Sequence, residues 1–149
     1  MKHESNLNGN AVYVVDGSRT PFLRARGMGS FSGSDLAVAA GTVLLNRQPF
    51  LPDELDEVII GSAMPGPDEA NIARIIALRL GCGDHVPAFT VMRNCASGMQ
   101  AIDNAAMQIA SGRSHLVLAG GTDAMSHAPL LFNQKMSEII DRHKQLVQS

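Results

Sequence analysis

Residues 88–101 read Ala88-Phe89-Thr90-Val91-Met92-Arg93-Asn94-Cys95-Ala96-Ser97-Gly98-Met99-Gln100-Ala101. Ala88 to Met92 has the β-branched and aromatic composition of a strand. From Cys95 to Ser111 the apolar residues recur at helical spacing, and Gly112 supplies a stop. A strand therefore passes almost directly into a helix, with a cysteine at the junction. Such a unit belongs to a parallel sheet, because parallel strands need a crossover between them and that crossover is usually a helix.

The same alternation recurs on both sides of this stretch. Glu57 to Ile60 reads as a buried strand ending at Gly61. Pro52-Asp53-Glu54 forms a brief turn before it. Glu69 to Leu80 places Ile72, Ile75, Ile76 and Leu80 on one helical face, with Gly81 as a C-cap. His115 to Ala119 is a further strand, closed by Gly120-Gly121. Upstream, Ala11 to Val15 reads as a strand buried on both faces, turning at Asp16-Gly17. Arg24 to Gly33 is a loop rich in Gly and Ser. Ser34-Asp35 then opens a helix carrying Leu36, Ala40, Val43 and Leu44.

Repeated strand–helix alternation predicts right-handed crossovers and an α/β fold, a mostly parallel sheet with helices on both faces. Three regions follow from the pattern. Residues 1–10 form a polar, Asn-rich lead expected to be flexible, and residues 11–124 form the domain. Residues 125–149 begin a loop region with an amphipathic helix from Gln134 to Gln148, marked by Met136, Ile139, Ile140 and Val147.

Composition narrows the function classes. The chain has 149 residues, 45% hydrophobic and 17% charged, a domain-sized and ordinary globular composition. Twelve Lys and Arg against 14 Asp and Glu leave a net charge of −2 with no basic stripe, which argues against nucleic acid as a partner. No apolar run is long enough for a membrane span. The start, Met1-Lys2-His3-Glu4, is unlike a secretory signal, and two cysteines without an export signal point to reduced thiols and a cytoplasmic setting. Low charge with 14 glycines describes a chain that expects cover on several sides.

Cys95 is the residue with chemical promise. Helix N-termini present unpaired N–H groups and a partial positive charge, which favour thiolate over thiol and can receive an oxyanion. Between Cys95 and Ser111 the only charged residue is Asp103. Met99, Ile102, Ala106 and Ile109 mark one face of this helix; Gly98, Ala101 and Ala105 mark a smooth second one. That pattern predicts packing on both sides and a sheltered N-terminus. The competing reading makes Cys95 a small buried hydrophobe, as free cysteines commonly are.

The stretch Arg93 to Ala101 resembles the nucleophile motif of the thiolase family, whose members make or split 3-ketoacyl-CoA through an acyl-cysteine. Three further segments occur in that family's order: Ser18-Arg19-Thr20-Pro21-Phe22, Asn71-Ile72-Ala73-Arg74, and Ala119-Gly120-Gly121-Thr122-Asp123-Ala124-Met125-Ser126. The resemblance runs from about Val12 to the end of the chain and implies the N-terminal portion of such an enzyme. It implies that Cys95 is the acylated residue and that its own N–H contributes to an oxyanion hole. It implies acyl-CoA and CoA as substrates, with no resident cofactor. Pro21 is expected to fix a turn, and the paired glycines to permit close packing. Asn71 and Arg74 are expected to serve hydrogen bonding near a subunit interface.

The family's catalytic bases are His residues and a second Cys in Asn-Glu-Ala-Phe, Gly-His-Pro and Cys-x-Gly-x-Gly motifs, none of which occurs in these 149 residues. The isolated chain is therefore expected to lack turnover, as a homo-oligomer or paired with a C-terminal half. Alternatives are a non-catalytic assembly module, half of a two-chain enzyme, or a ketoacyl-synthase-like condensing enzyme. His85, His115 and His127 read as surface or packing residues. Cys82, in a Gly-Cys-Gly turn, lacks the helix start that Cys95 has. Cys82, His85 and Cys95 fall short of the four ligands of structural zinc, so no metal is expected.

Overall fold

The computed structural model of the chain describes residues 9–25, 27 and 29–147. Its centre is a parallel sheet of β1 (Glu57–Gly61), β2 (Ala88–Val91) and β3 (Val117–Gly121), in the order β2-β1-β3. The central strand is the most uniformly buried. Val58 and Ile60 point into one cluster with Leu45, Ile72, Ile76 and Val86. Ile59, facing the other way, packs with Ala101 and Ala105. Alternation along a strand thus builds two cores from three consecutive residues. Ile59 lies opposite Phe89 of β2 and Ala119 of β3.

Helices cover both faces, as the alternation predicts. On the Val58 side, α1 (Gly33–Leu45) packs against α2 (Ile72–Arg79), which lies on the sheet. On the Ile59 side lies α3 (Ser97–Ala110). A capping box between Ser32 and Asp35 starts α1. Arg79 of α2 reaches back to this cap, donating to Ser34 Oγ and pairing with Asp35. Asn71 caps α2, accepts from Thr90 Oγ1 at 2.9 Å and donates to the Ala88 carbonyl, which stitches the helix to β2. Arg74 donates to the Val86 and Asp84 carbonyls, so Asn71 and Arg74 both serve hydrogen bonding. Gly81 and Gly112 follow α2 and α3 with φ of +82° and +73°, the left-handed geometry of a helix stop.

Ala11 to Val15 departs from expectation. It is no strand, and Tyr13, Val14 and Val15 are 77%, 88% and 76% exposed. The segment is fastened at its ends. The Asn10 N–H donates to the Ala110 carbonyl at the end of α3, and Asp16 pairs with Arg47 beyond α1 at 2.6 Å. A β-branched run becomes a strand only where a strand edge pairs with it, and none among the described residues does. Residues 18–25, including Pro21, adopt no turn. The lead before Gly9 and the last two positions of the chain lie outside the described residues.

The second departure concerns α3. Its sheet-facing residues are Ser97, Ala101 and Ala105, while Met99, Ile102 and Met107 are exposed. Small residues allow the helix axis to approach the sheet closely, so the smooth face wins the contact. No layer covers the bulkier face among the described residues, and the helix is packed on one side rather than two. Beyond a short 3₁₀ turn at Met125–His127 runs α4 (Gln134–Val147), with Met136 and Ile139 exposed. No helix among the described residues is long and apolar enough to cross a membrane.

Candidate active site

Between the end of β2 and the start of α3 the chain makes a tight bend over residues 92–96. Its hinge is Asn94, the one described non-glycine residue with positive φ, at +48°. Asn tolerates this left-handed region better than most side chains. The Ala96 and Ser97 N–H groups donate to the carbonyls of Arg93 and Asn94, at 3.0 and 3.1 Å. Cys95 sits at the crest of this bend with a free, exposed thiol. The helix begins at Ser97, two residues after the cysteine. The sheltered position expected for Cys95 is therefore not observed, because the outer face of α3 beside it has no cover.

Two glycines bring the bend onto the sheet. A Cβ on Gly61 would lie 2.2 Å from the Ser97 carbonyl carbon, and one on Gly121 would lie 2.9 Å from Gly98 Cα. Only glycine at the ends of β1 and β3 lets the first turn of α3 rest directly on those strand ends. The close packing expected of Gly120-Gly121 is realised at Gly121. Arg93 flanks Cys95 on the surface and donates to Gln100 one turn along the helix.

All three strands are parallel, so their C-terminal ends share one edge with Cys95. Asp123, just past β3, gathers that edge. Its carboxylate accepts from Ser62 Oγ at 2.9 Å and from the Ala63 and Met64 N–H groups at 3.0 Å each. Thr122 Oγ1 donates to the Gly33 carbonyl at 2.7 Å. Beside Asp123 is a cavity of about 190 Å³ lined by Ser32, Ser62, Glu69, Ile72 and His127, and Cys95 is not in its wall. Burial disfavours the charged form of Glu69, but bonds from Ser34 and Ser32 outweigh this and hold its carboxyl below the usual value.

Among the described residues no histidine hydrogen-bonds Cys95. His85 precedes β2 and His115 precedes β3, which places both at the opposite edge of the sheet. His127 shares the Cys95 edge, but its Nε2 is engaged with the Gly29 carbonyl at 2.7 Å. Cys82 is fully buried in the core beside Val86, and burial together with the nearby Asp53 charge pushes its thiol up. Cys82 precedes β2 while Cys95 follows it, so the strand separates the two thiols. No cluster of three His, Cys, Asp or Glu suited to a metal occurs among the described residues.

Ser97 and Asp123, quoted above only as parts of motifs, have hydrogen-bonding roles at this candidate edge that the sequence did not assign to them. The signal for Ser97 lay within the Cys-x-Ser-Gly spacing. For Asp123 it lay in a lone acid directly after a Gly-Gly-Thr strand end.

A family model described as thiolase, N-terminal domain, matches residues 12–148. The β-ketoadipyl-CoA thiolase of Pseudomonas knackmussii is 41% identical over 126 residues, covering 83% of this chain and 31% of that protein. A crystal structure of the Bacillus anthracis acetyl-CoA acetyltransferase matches with a TM-score of 0.67 and 44% identity, over 71% of this chain and 27% of that one. The human mitochondrial 3-ketoacyl-CoA thiolase matches with a TM-score of 0.70 and 34% identity, over 77% of this chain and 30% of that one. The chain thus spans less than a third of the length of each of these relatives.

Proposed function

The chain belongs to the thiolase family, and on that premise we propose that it is the N-terminal portion of an acyl-CoA acyltransferase whose acyl group is carried by Cys95. The observation that carries this reading is the bend at residues 92–96, which presents an exposed thiol at the C-terminal edge of a parallel sheet, just ahead of a helix N-terminus. In the acylation step Cys95 Sγ attacks the carbonyl carbon of an acyl-CoA. A C–S bond forms to Cys95, the bond to the CoA sulfur breaks, and CoA takes up the proton that the Cys95 thiol gives up. The carbonyl oxygen carries negative charge in passing, and the N–H of Cys95 is the group the family resemblance assigns to receive it. In the synthetic direction C2 of a second acyl-CoA gives up a proton, forms a C–C bond to the acyl carbon and displaces Cys95, whose sulfur regains a proton. In the degradative direction Cys95 Sγ attacks C3 of a 3-ketoacyl-CoA, and the C2–C3 bond breaks with C2 taking up the thiol proton. CoA then takes the acyl group from Cys95 and returns its proton to the thiol.

This chemistry uses CoA thioesters as substrates and needs no resident cofactor. It does need bases; His85 and His115 lie at the opposite edge of the sheet and His127 is engaged with the Gly29 carbonyl, so acylation of the isolated chain is stoichiometric at most. Two free thiols suit a reducing compartment such as the cytoplasm. The exposed Met99, Ile102 and Met107 favour an accompanying reading, in which this face of α3 is covered in the assembled enzyme by a C-terminal half or a second copy.

Alkylation by iodoacetamide at pH 7, followed by peptide mass mapping, tests the nucleophile. Cys95 in the native chain is expected to react at least several-fold faster than the same cysteine in guanidinium-unfolded chain. Equal rates in the two states contradict the reading.

A further inference from the structure

Ser97 is buried to 3% exposure, yet its hydroxyl has nothing to do with the core around it. It accepts from the Arg93 N–H at 2.8 Å and donates to the Asn94 carbonyl at 2.7 Å. The Asn94 carbonyl also accepts from the Ser97 N–H, so Ser97 grips it twice. The hydroxyl is not capping its own helix: the N-cap position, Ala96, has no side-chain cap. Ser97 is in turn seated against β1, where the bare Cα of Gly61 admits its backbone. A continuous chain of contacts thus runs from the sheet through Ser97 to the two residues preceding Cys95.

The bend at Asn94 needs such a brace. A left-handed non-glycine residue costs free energy and persists only where its surroundings over-determine it. The hydroxyl bonds on both sides of the Asn94 Cα, accepting from the Arg93 N–H before it and donating to the Asn94 carbonyl after it, and so closes this part of the bend like a clasp. We propose that Ser97 is a positioning residue for Cys95, holding Asn94 in its left-handed conformation and thereby fixing the thiol relative to the first turn of α3. This inference rests on the reading of Cys95 as the nucleophile, and it predicts that the brace acts through the backbone of Asn94 rather than through packing.

The test compares wild type, Ser97→Ala, Asn94→Gly and the double variant Ser97→Ala/Asn94→Gly. The readouts are the native iodoacetamide rate at Cys95 and the backbone carbon shifts and amide couplings of residue 94 by NMR. Ser97→Ala is expected to slow Cys95 about tenfold, the effect of roughly one or two lost hydrogen bonds, and to remove the left-handed signature at Asn94. Glycine adopts this region freely, so the double variant is expected to recover most of the rate. A purely structural role for Ser97 would not be rescued at position 94. If Ser97→Ala unfolds the chain, Asn94→Val carries the test, because it leaves the hydroxyl in place and disfavours the bend; the same loss of rate is expected. An unchanged rate in Ser97→Ala, or in Asn94→Val where that variant replaces it, overturns the proposal, as does a double variant no faster than Ser97→Ala. A wild-type Cys95 that reacts no faster than in unfolded chain, while Ser97→Ala still loses the left-handed signature, overturns the nucleophile reading and leaves the brace as a fact of the bend.

Discussion

Gly61 and Ser97 meet backbone to backbone: a Cβ on Gly61 would lie 2.2 Å from the Ser97 carbonyl carbon and 2.3 Å from its oxygen. Neither partner is the flexible end of a side chain, so Gly61→Ala must push the first turn of α3 off the sheet. We expect a loss of about 3 kcal/mol in urea denaturation. Gly98→Ala is the contrasting case. Its Cβ would lie 3.6 Å from Gly121 Cα, an ordinary contact, and a change within about 0.5 kcal/mol is expected. Equal effects at the two positions would contradict the close approach described at Gly61.

Glu57 and the braced aspartates pull stability in opposite directions with pH. Burial raises the Glu57 carboxyl above its usual value, against the Arg113 charge that lowers it. A raised carboxyl stabilises the fold fully below its unfolded value, and that contribution is lost as pH rises through the folded value. Glu57→Gln keeps an acceptor for Gln108 and is expected to raise Tm by about 2 °C at pH 7 with no gain at pH 4. Asp35 is lowered by the Ser32 N–H and then by Arg79, and Asp56 by the N–H groups of His115 and Leu116. Their contribution is present above the ordinary carboxylate value, near 4, and is lost as pH falls below it. A thermal series from pH 3 to 8 should show the acid loss shrink in Asp56→Asn.

Cys82 should behave as a reporter of opening. Its thiol is fully buried and pushed up, first by burial and then by Asp53, so alkylation has to wait until the core around Val86 and Leu55 parts. Its rate should rise with urea in step with the unfolding transition, while Cys95 is modified well before. Cys82 labelling as fast as Cys95 in the absence of urea would contradict the burial.

The isolated chain should not turn over. With acetoacetyl-CoA and CoA we expect no thiolysis, followed by the disappearance of the enolate absorbance, because no histidine among the described residues is bonded to Cys95. Turnover that vanishes in Cys95→Ala would show that this chain supplies its own base.

Much of the fold is legible because its signals are local. Val58-Ile59-Ile60 is apolar on both faces and so announces a central strand, and Gly81 and Gly112 mark helix stops through a conformation that glycine alone adopts readily. Ala11 to Val15 carries an equally good strand composition, yet strand identity depends on an edge to pair with, which composition does not encode. Helical spacing identified two candidate faces of α3 but not which would meet the sheet. That choice depends on Gly61 and Gly121, whose bare backbones favour Ala101 and Ala105 over Met99 and Ile102. Cys95 was legible from its junction between strand and helix. The Ser97 brace was not, because a buried hydroxyl reaching back to Arg93 and Asn94 leaves no periodicity.

The central claim is that Cys95 carries the acyl group, and covalent capture tests it most directly. The native chain incubated with millimolar acetyl-CoA, then digested and mapped by mass, should show one acetyl group on the peptide containing Cys95. That group should be released by neutral hydroxylamine, as a thioester is, and be absent from Cys95→Ala. No acetylation, or a hydroxylamine-resistant acetyl group on another residue, would contradict the account.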